Sequence, residues 1–382
     1  MKIAYIYLSQ LETRDANINQ MLSMCEALGK HSEVTLFTGW MSKSAFASLC
    51  QFFSIKQNFA TQRLPVKLLT GSLLIEKVTR LLYCIQVLMA LKAGSFDVIY
   101  TRDITLLVFL KMLPSWARPN VPVIYEPHTL YHKTSEKVSF ELEHASLKLA
   151  DYFIPISHGI ARDLEGILGV DPGRITVLPD GVRVDVIANV QAQSLARDQL
   201  QVLYSGSFID WKGVEIFIEA IPFVRTPNVV FLALGGVGKD FERIEQLVAS
   251  LDLQDRVILR SRMSQDELMP IAKSAHIGVL PNNRTAIGAH YTSPLKLFEY
   301  MANGLPILAS DLESMREILA ENEHALFFEP SNPSHLATQL DRLLQDEELR
   351  RSMGQRNLQA VEAYSWDSRA QRIVEIAKRL TQ

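Results

Sequence analysis

What most constrains this chain is an alternation that runs through it twice. In the first half, apolar runs at Ile3 to Leu8, Val34 to Phe37, Val98 to Tyr100, Val123 to Tyr125, Phe153 to Ile156 and Ile175 to Leu178 are separated by stretches of helical periodicity. A second series, at Val202 to Tyr204, Val229 to Leu234, Val257 to Leu259, Ile277 to Leu280, Ile307 to Ala309 and Leu326 to Phe328, repeats the plan more regularly. Short apolar runs bounded by helical patterns read as strands buried on both faces, and the intervening helices return each strand parallel to the last. The pattern predicts an α/β chain of two Rossmann-like, doubly wound domains. With 382 residues, 48% of them hydrophobic, the chain is long enough for two such cores. Past Val182, the polar stretch VDVIANVQAQSLARDQ is predicted to link them, giving domains of residues 1–186 and 199–364. Doubly wound domains bind ligands at the carboxyl ends of their strands, so two facing each other predict a central cleft.

Composition removes several function classes. A formal net charge of -3 offers no global basic surface for nucleic acid and leaves room only for a local basic patch. The three cysteines, Cys25, Cys50 and Cys84, lack metal-ligand spacing, and a sparse, odd count fits a reducing, cytoplasmic setting. MKIAYIYLSQ runs directly into a strand pattern, without the apolar core and cleavage site of a secretory signal. The most apolar helical pattern, Leu73 to Lys92, is interrupted by Glu76, Lys77 and Arg80, too many charges for a membrane span. It reads as a core-packing helix first and a helix lying on a membrane surface second.

The densest chemistry lies in TSPLKLFEYMANGLPILASD, Thr292 to Asp311. Ser293 is a natural N-cap and Pro294 a natural first helical residue, and Gly304 and Pro306 end a helix of about three turns. Leu295, Phe298 and Ala302 form a core face, which stacks Lys296, Glu299 and Asn303 along another. A lysine in the first turn opposes the helix dipole unless an anion such as phosphate occupies the helix start. Glu299, one turn on, is then placed to accept from ribose hydroxyls, so a nucleoside diphosphate fits both groups. An exposed Lys296–Glu299 ion pair is the competing reading.

Other segments are weaker alone. GSFIDWKG, Gly206 to Gly213, follows the first strand of the second domain. A glycine-bearing loop such as this, ending in Lys212 at a helix start, can approach a pyrophosphate closely and neutralise it, though many βα loops hold two glycines and a surface lysine. ALGGVGKD places Gly235 in a tight turn after the next strand. YEPHTLYHK puts His128 just past Val123 to Tyr125, where a hydrogen bond to a nearby carbonyl is the simpler role. Neither half has G-x-G-x-x-G after its first strand, which disfavours a Rossmann dehydrogenase.

The TSPLKLFEYMA run resembles the donor-binding helix of retaining GT-B glycosyltransferases of family 4, a resemblance that covers Tyr204 to Phe328 and scattered points before it. The resemblance implies a GT-B fold, with the final helix, residues 365–382, crossing back to the first domain. It implies transfer of a sugar from a nucleotide diphosphate sugar to a glycan, lipid-linked or small-molecule acceptor, as in bacterial-type polysaccharide or glycoconjugate synthesis. No separate cofactor and no metal are expected, since no Asp-x-Asp pair is present. The setting is the cytoplasm, with peripheral contact at the inner face of a membrane an option; oligomeric state is left open.

Residue by residue, the resemblance assigns catalysis to His128, Lys212 and Lys296, and the nucleotide and diphosphate to Gly206, Ser207, Lys212, Gly235, Met263, Ser293, Pro294, Leu295, Lys296 and Glu299. Two departures stand out. Ser207 occupies the place of a loop arginine, and Tyr291 that of the first carboxylate of a Glu-x7-Glu pair, which leaves sugar contacts to Tyr291, Thr292 and the backbone amides up to Leu295. His290 and Tyr291 read equally as lid or packing residues. LPDGVRVD, Leu178 to Asp185, resembles the turn that ends the first domain, with Gly181 expected at positive φ. The alternatives carried forward are a nucleotide-sugar epimerase or hydrolase, and a non-catalytic sugar-nucleotide binding protein.

Overall fold

The computed structural model describes residues 1–8, 11, 14–66, 73–134, 138–196, 198–285 and 287–382. Its twelve strands form two sheets. The first contains β1 (Lys2–Ile6), β2 (Glu33–Thr38), β3 (Ala60–Arg63), β4 (Val98–Thr101), β5 (Val123–Tyr125) and β6 (Tyr152–Phe153), in the order β3-β2-β1-β4-β5-β6. The second contains β7 (Leu200–Ser205), β8 (Val229–Gly236), β9 (Val257–Ser261), β10 (Ile277–Leu280), β11 (Ile307–Ser310) and β12 (Ala325–Phe328), in the order β12-β11-β10-β7-β8-β9. Every pairing is parallel. Renumbered from its own first strand, the second sheet has the same order as the first, the dinucleotide-fold order with its switch point between the first and fourth strands.

The chain divides into two units, residues 1–179 with 366–382, and residues 180–365. In the second unit the two-residue period of the strands sorts side chains into two cores. Val202, Tyr204, Phe231 and Ala233 point to one face, and Leu203, Val230, Leu232 and Leu234 to the other, so helices are needed on both. The first unit closes with the helix Trp366–Leu380, whose Ala370, Ile373 and Ala377 are fully buried and which packs against the helix Ala16–Leu28.

The structure differs from the sequence reading at four places. Ala60–Arg63 is an edge strand paired only with β2, and its alternating exposure leaves no apolar run to detect. Ile175 to Leu178 forms a single bridge to Phe153 instead of a strand. Thr176 and Leu178 donate to the carbonyls of Phe153 and Pro155, but Pro155 has no N–H with which to continue the ladder. The expected linker is packed into the second unit: Val182 and Ile187 belong to one of its cores, and Val184, Val190 and Leu195 lie against it; Arg197 lies outside the described residues. Gly181 is not among the glycines of positive φ.

Candidate functional site

In the second unit the chemistry gathers where β7 and β8 end. Gly206 and Gly235, with φ of 135° and 122°, let the two loops touch backbone to backbone, and a Cβ on Gly235 would lie 2.5 Å from the Gly206 carbonyl. No other residue type fits there. The helix Leu295–Ala302 is fastened beside them by Tyr300, whose hydroxyl accepts from the Ser205 N–H at 2.9 Å. This places the Lys296 side chain against Gly206, with Nζ 4.1 Å from the centre of the Tyr204 ring. Tyr204 in turn donates its hydroxyl to the Ser207 carbonyl.

Lys296 is buried, and its ammonium has no hydrogen-bond acceptor. Burial, reinforced by the charge of Lys212, holds it well below the ordinary lysine range, while Glu299 opposes the shift. The two lysines assigned to one diphosphate are therefore electrostatic neighbours. Lys212 sits in the turn Asp210–Lys212, which Gly213 (φ 69°) lets pack against the Pro281 carbonyl after β10. Beside that contact Asn282 is buried with neither amide atom bonded. Lys296 and Glu299 do not form the exposed ion pair of the competing reading. Glu299 instead accepts from Gln265 at 3.4 Å, and burial raises its carboxyl against the pull of Gln265, Arg183 and Lys296.

The helix start departs from expectation. Pro294 is extended (φ -73°, ψ 122°) and precedes the helix, which runs from Leu295 for 8 residues, two turns rather than three. Ser293 caps nothing there, because its hydroxyl accepts the Asp180 N–H at 2.9 Å. Leu295 opens the helix, and the Lys296 face is buried, so this element is enclosed on nearly all sides. Thr292 and Tyr291 are also buried, Tyr291 ending a wide π-helical turn, Ile287–Tyr291. His290 points to the surface, 2.9 Å from Glu313. Met263 is half-buried, its side chain packed against one core of the second unit. Arg243 approaches the loop that lacks an arginine and donates to the Phe208 carbonyl, but Glu215, Asp240 and Asp210 surround its charge, so it does not replace the missing cation.

The first unit holds a second cluster, which sequence reasoning reached only at His128. Glu126, 1% exposed, is paired with Arg369 of the terminal helix at 2.8 Å and accepts from the Tyr100 hydroxyl, from Gln20 at 3.4 Å and from His128 Nε2 at 2.6 Å. Arg369 also donates to the carbonyls of Leu178 and Pro179, and Arg102 donates to Gln20. Burial alone would raise the Glu126 carboxyl, but Arg369, His128 and Arg102 together carry it well below the carboxylate range. Burial and then Arg102 bring His128 down to about 4, so its ring is neutral at pH 7. A carboxylate only accepts, so the neutral ring donates through Nε2, and Nδ1 keeps its lone pair for something else. The signal missed was Arg369, a cation on the buried face of an otherwise amphipathic helix.

Two family models match the chain: Glycosyl transferases group 1 over residues 186–359, and Glycosyltransferase Family 4 over residues 19–186. Among curated proteins it is similar to an uncharacterized glycosyltransferase of Methanocaldococcus jannaschii, 23% identical over 261 residues spanning 65% of each chain. It is also similar to the D-inositol 3-phosphate glycosyltransferase of Streptomyces bingchenggensis, 25% identical over 238 residues, 58% of this chain and 51% of that one. These matches span less than two thirds of the relatives' own length. Among solved structures, sucrose-phosphate synthase from Thermosynechococcus elongatus superposes with a TM-score of 0.76 at 21% identity, over 99% of this chain and 98% of that one. Anabaena HepE in complex with UDP gives 0.77 at 15% identity, over 99% and 100%. At these identities the structural likeness is one of fold.

Proposed function

Because the chain belongs to the family-4, group 1 glycosyltransferases and has the GT-B fold, we propose that it moves a sugar from a nucleoside diphosphate sugar to an acceptor hydroxyl with retention of anomeric configuration. The observation that carries this reading is the Lys296 ammonium, buried with no acceptor beside a second lysine. A charge held this way is costly in the empty protein and favourable once a diphosphate arrives.

In the proposed reaction the bond from the sugar's anomeric carbon to the donor phosphate oxygen breaks first. Lys212 and Lys296 stabilise the negative charge that grows on the departing diphosphate, without a metal. The acceptor oxygen then bonds to the same face of that carbon, and its proton passes to the leaving phosphate oxygen. No protein nucleophile takes part. Glu299 accepts from the ribose hydroxyls, and backbone groups around Gly206, Ser207, Gly235 and Met263 line the nucleotide. In the absence of the first carboxylate, the sugar oxygens accept from the backbone N–H groups of Thr292, Ser293 and Leu295, with Tyr291 behind them. His128, neutral and with Nδ1 open, serves as an acceptor for a sugar hydroxyl rather than as an acid. The donor pool sets the place of action, the cytoplasm, and the acceptor is a glycan, a lipid-linked saccharide or a small molecule.

Calorimetry with UDP, followed by an acceptor screen in chelator, tests the reading. UDP should bind and sugar transfer should persist without metal. A chain that binds no nucleoside diphosphate would overturn it. Ser207 and Tyr291, standing where the family has charged groups, favour one second reading, a sugar-nucleotide sensor. Tight binding with no transfer to any acceptor would select it.

A further inference from the structure

The helix Leu73–Ala93 is amphipathic in an unusual sense. Its inner side packs Tyr83, Cys84, Val87 and Leu91 into the first unit, as a core helix should. Its outer side is also apolar. Leu74, Val78, Leu81, Leu82, Ile85 and Met89 are 39–73% exposed and follow one another at helical spacing, so they form one continuous stripe. The helix is 21 residues long, about 30 Å. No other element among the described residues exposes more than one large apolar side chain, apart from the neighbouring segment that carries Met112 and Trp116, 73% and 83% exposed. That neighbour, the helix Ile104–Met112, packs on Leu73–Ala93, and Arg80 bonds to Thr105 at its start.

The charges on this surface identify what covers it. The exposed ionisable groups on the outer side of Leu73–Ala93 are Lys77 and Lys92, one towards each end of the stripe. Glu76 lies off the stripe and is paired with Arg80. Residues 104–122, which carry Met112 and Trp116, contain Lys111 and Arg118 and no carboxylate. A second copy docked antiparallel through this face would set lysine against lysine with no acid to pair them. An anionic bilayer meets both requirements: acyl chains take the apolar stripe, and lipid phosphates meet lysines that extend outwards from its ends. No helix among the described residues is long and apolar enough to cross a membrane. We propose that the outer face of Leu73–Ala93, with Met112 and Trp116 alongside, docks this protein on an anionic lipid surface, lying in the headgroup layer.

The proposal does not depend on the sugar-transfer reading, and flotation with vesicles tests it separately. The full chain should float with phosphatidylcholine vesicles that contain phosphatidylglycerol and stay largely behind with phosphatidylcholine alone. Leu81→Glu with Ile85→Glu should abolish flotation while circular dichroism and UDP binding remain unchanged. Lys77→Ala with Lys92→Ala should weaken binding to the anionic vesicles about 30-fold, roughly fivefold for each cation. The proposal is overturned if the parent chain ignores both kinds of vesicle, or if Leu81→Glu with Ile85→Glu floats as well as the parent. It is equally overturned if size exclusion shows a dimer that these glutamates dissociate, which would make a second copy the occupant.

Discussion

The two units share one strand order but treat a buried charge in opposite ways. In the first, Glu126 is met by Arg369, Tyr100, Gln20 and His128, leaving a saturated network that fixes one ring and one tautomer. In the second, Lys296 rests on the Tyr204 ring with no acceptor and a like charge nearby. The first arrangement is complete without a ligand and serves orientation. The second is unfavourable without a ligand, which suits the binding role proposed for it. A fold repeated twice has been given preorganisation in one copy and stored electrostatic demand in the other.

Removing one member of each cluster should break the comparison most visibly. Arg369→Met leaves Glu126 buried without its main counter-charge and should lower the unfolding free energy by about 3–5 kcal/mol, read by urea titration. Adding Glu126→Gln should recover part of that loss. Lys296→Met should act the other way in the ligand-free protein, raising its melting temperature. The same change should weaken UDP binding about 10- to 100-fold by calorimetry, the worth of a charged hydrogen bond. If both substitutions simply destabilise, the contrast between the units is wrong.

Acid should sharpen the contrast. The folded value of His128, about 4, lies below its ordinary 6.5, so the unfolded chain binds more protons between those values and stability falls as pH drops through that window. Glu126, held below its unfolded value, adds to the loss at still lower pH. Melting curves should show a decline of about 3 kcal/mol over this range, and His128→Asn should flatten it. The smallest effect is at Glu299. Glu299→Gln should cost about 1 kcal/mol of UDP affinity and erase the preference for UDP over its 2′-deoxy form, as measured by competition.

The fold was written in the sequence wherever a strand was buried on both faces, as in β10, β11 and β12 of the second sheet. It was hidden at the edge, where Ala60–Arg63 shows water every second residue, and at Pro155, where a missing N–H stops a ladder that composition favours. The helix Leu295–Ala302 was readable as an element because its groups are local, Lys296 and Glu299 lying within one turn. Its start was misread because the Ser293 hydroxyl is taken by Asp180, a partner 113 residues away. The partners of Arg369 were hidden for the same reason, since its bond to Tyr100 spans 269 residues. For the helix Leu73–Ala93, apolar content ranks core packing above a membrane-surface role. Content does not reveal that two opposite faces are apolar and only one has a partner.

The return of Trp366–Leu380 to the first unit orders events during synthesis. A ribosome makes β1 to β6 early, yet it must add residues 180–365 before the residue that neutralises Glu126 exists. Until then Glu126 lacks its principal counter-charge, and burying it costs the first unit stability. The second unit, continuous in sequence, can finish first. The first unit, begun first, is thus the last to be complete, and Arg369 is the latch that closes it.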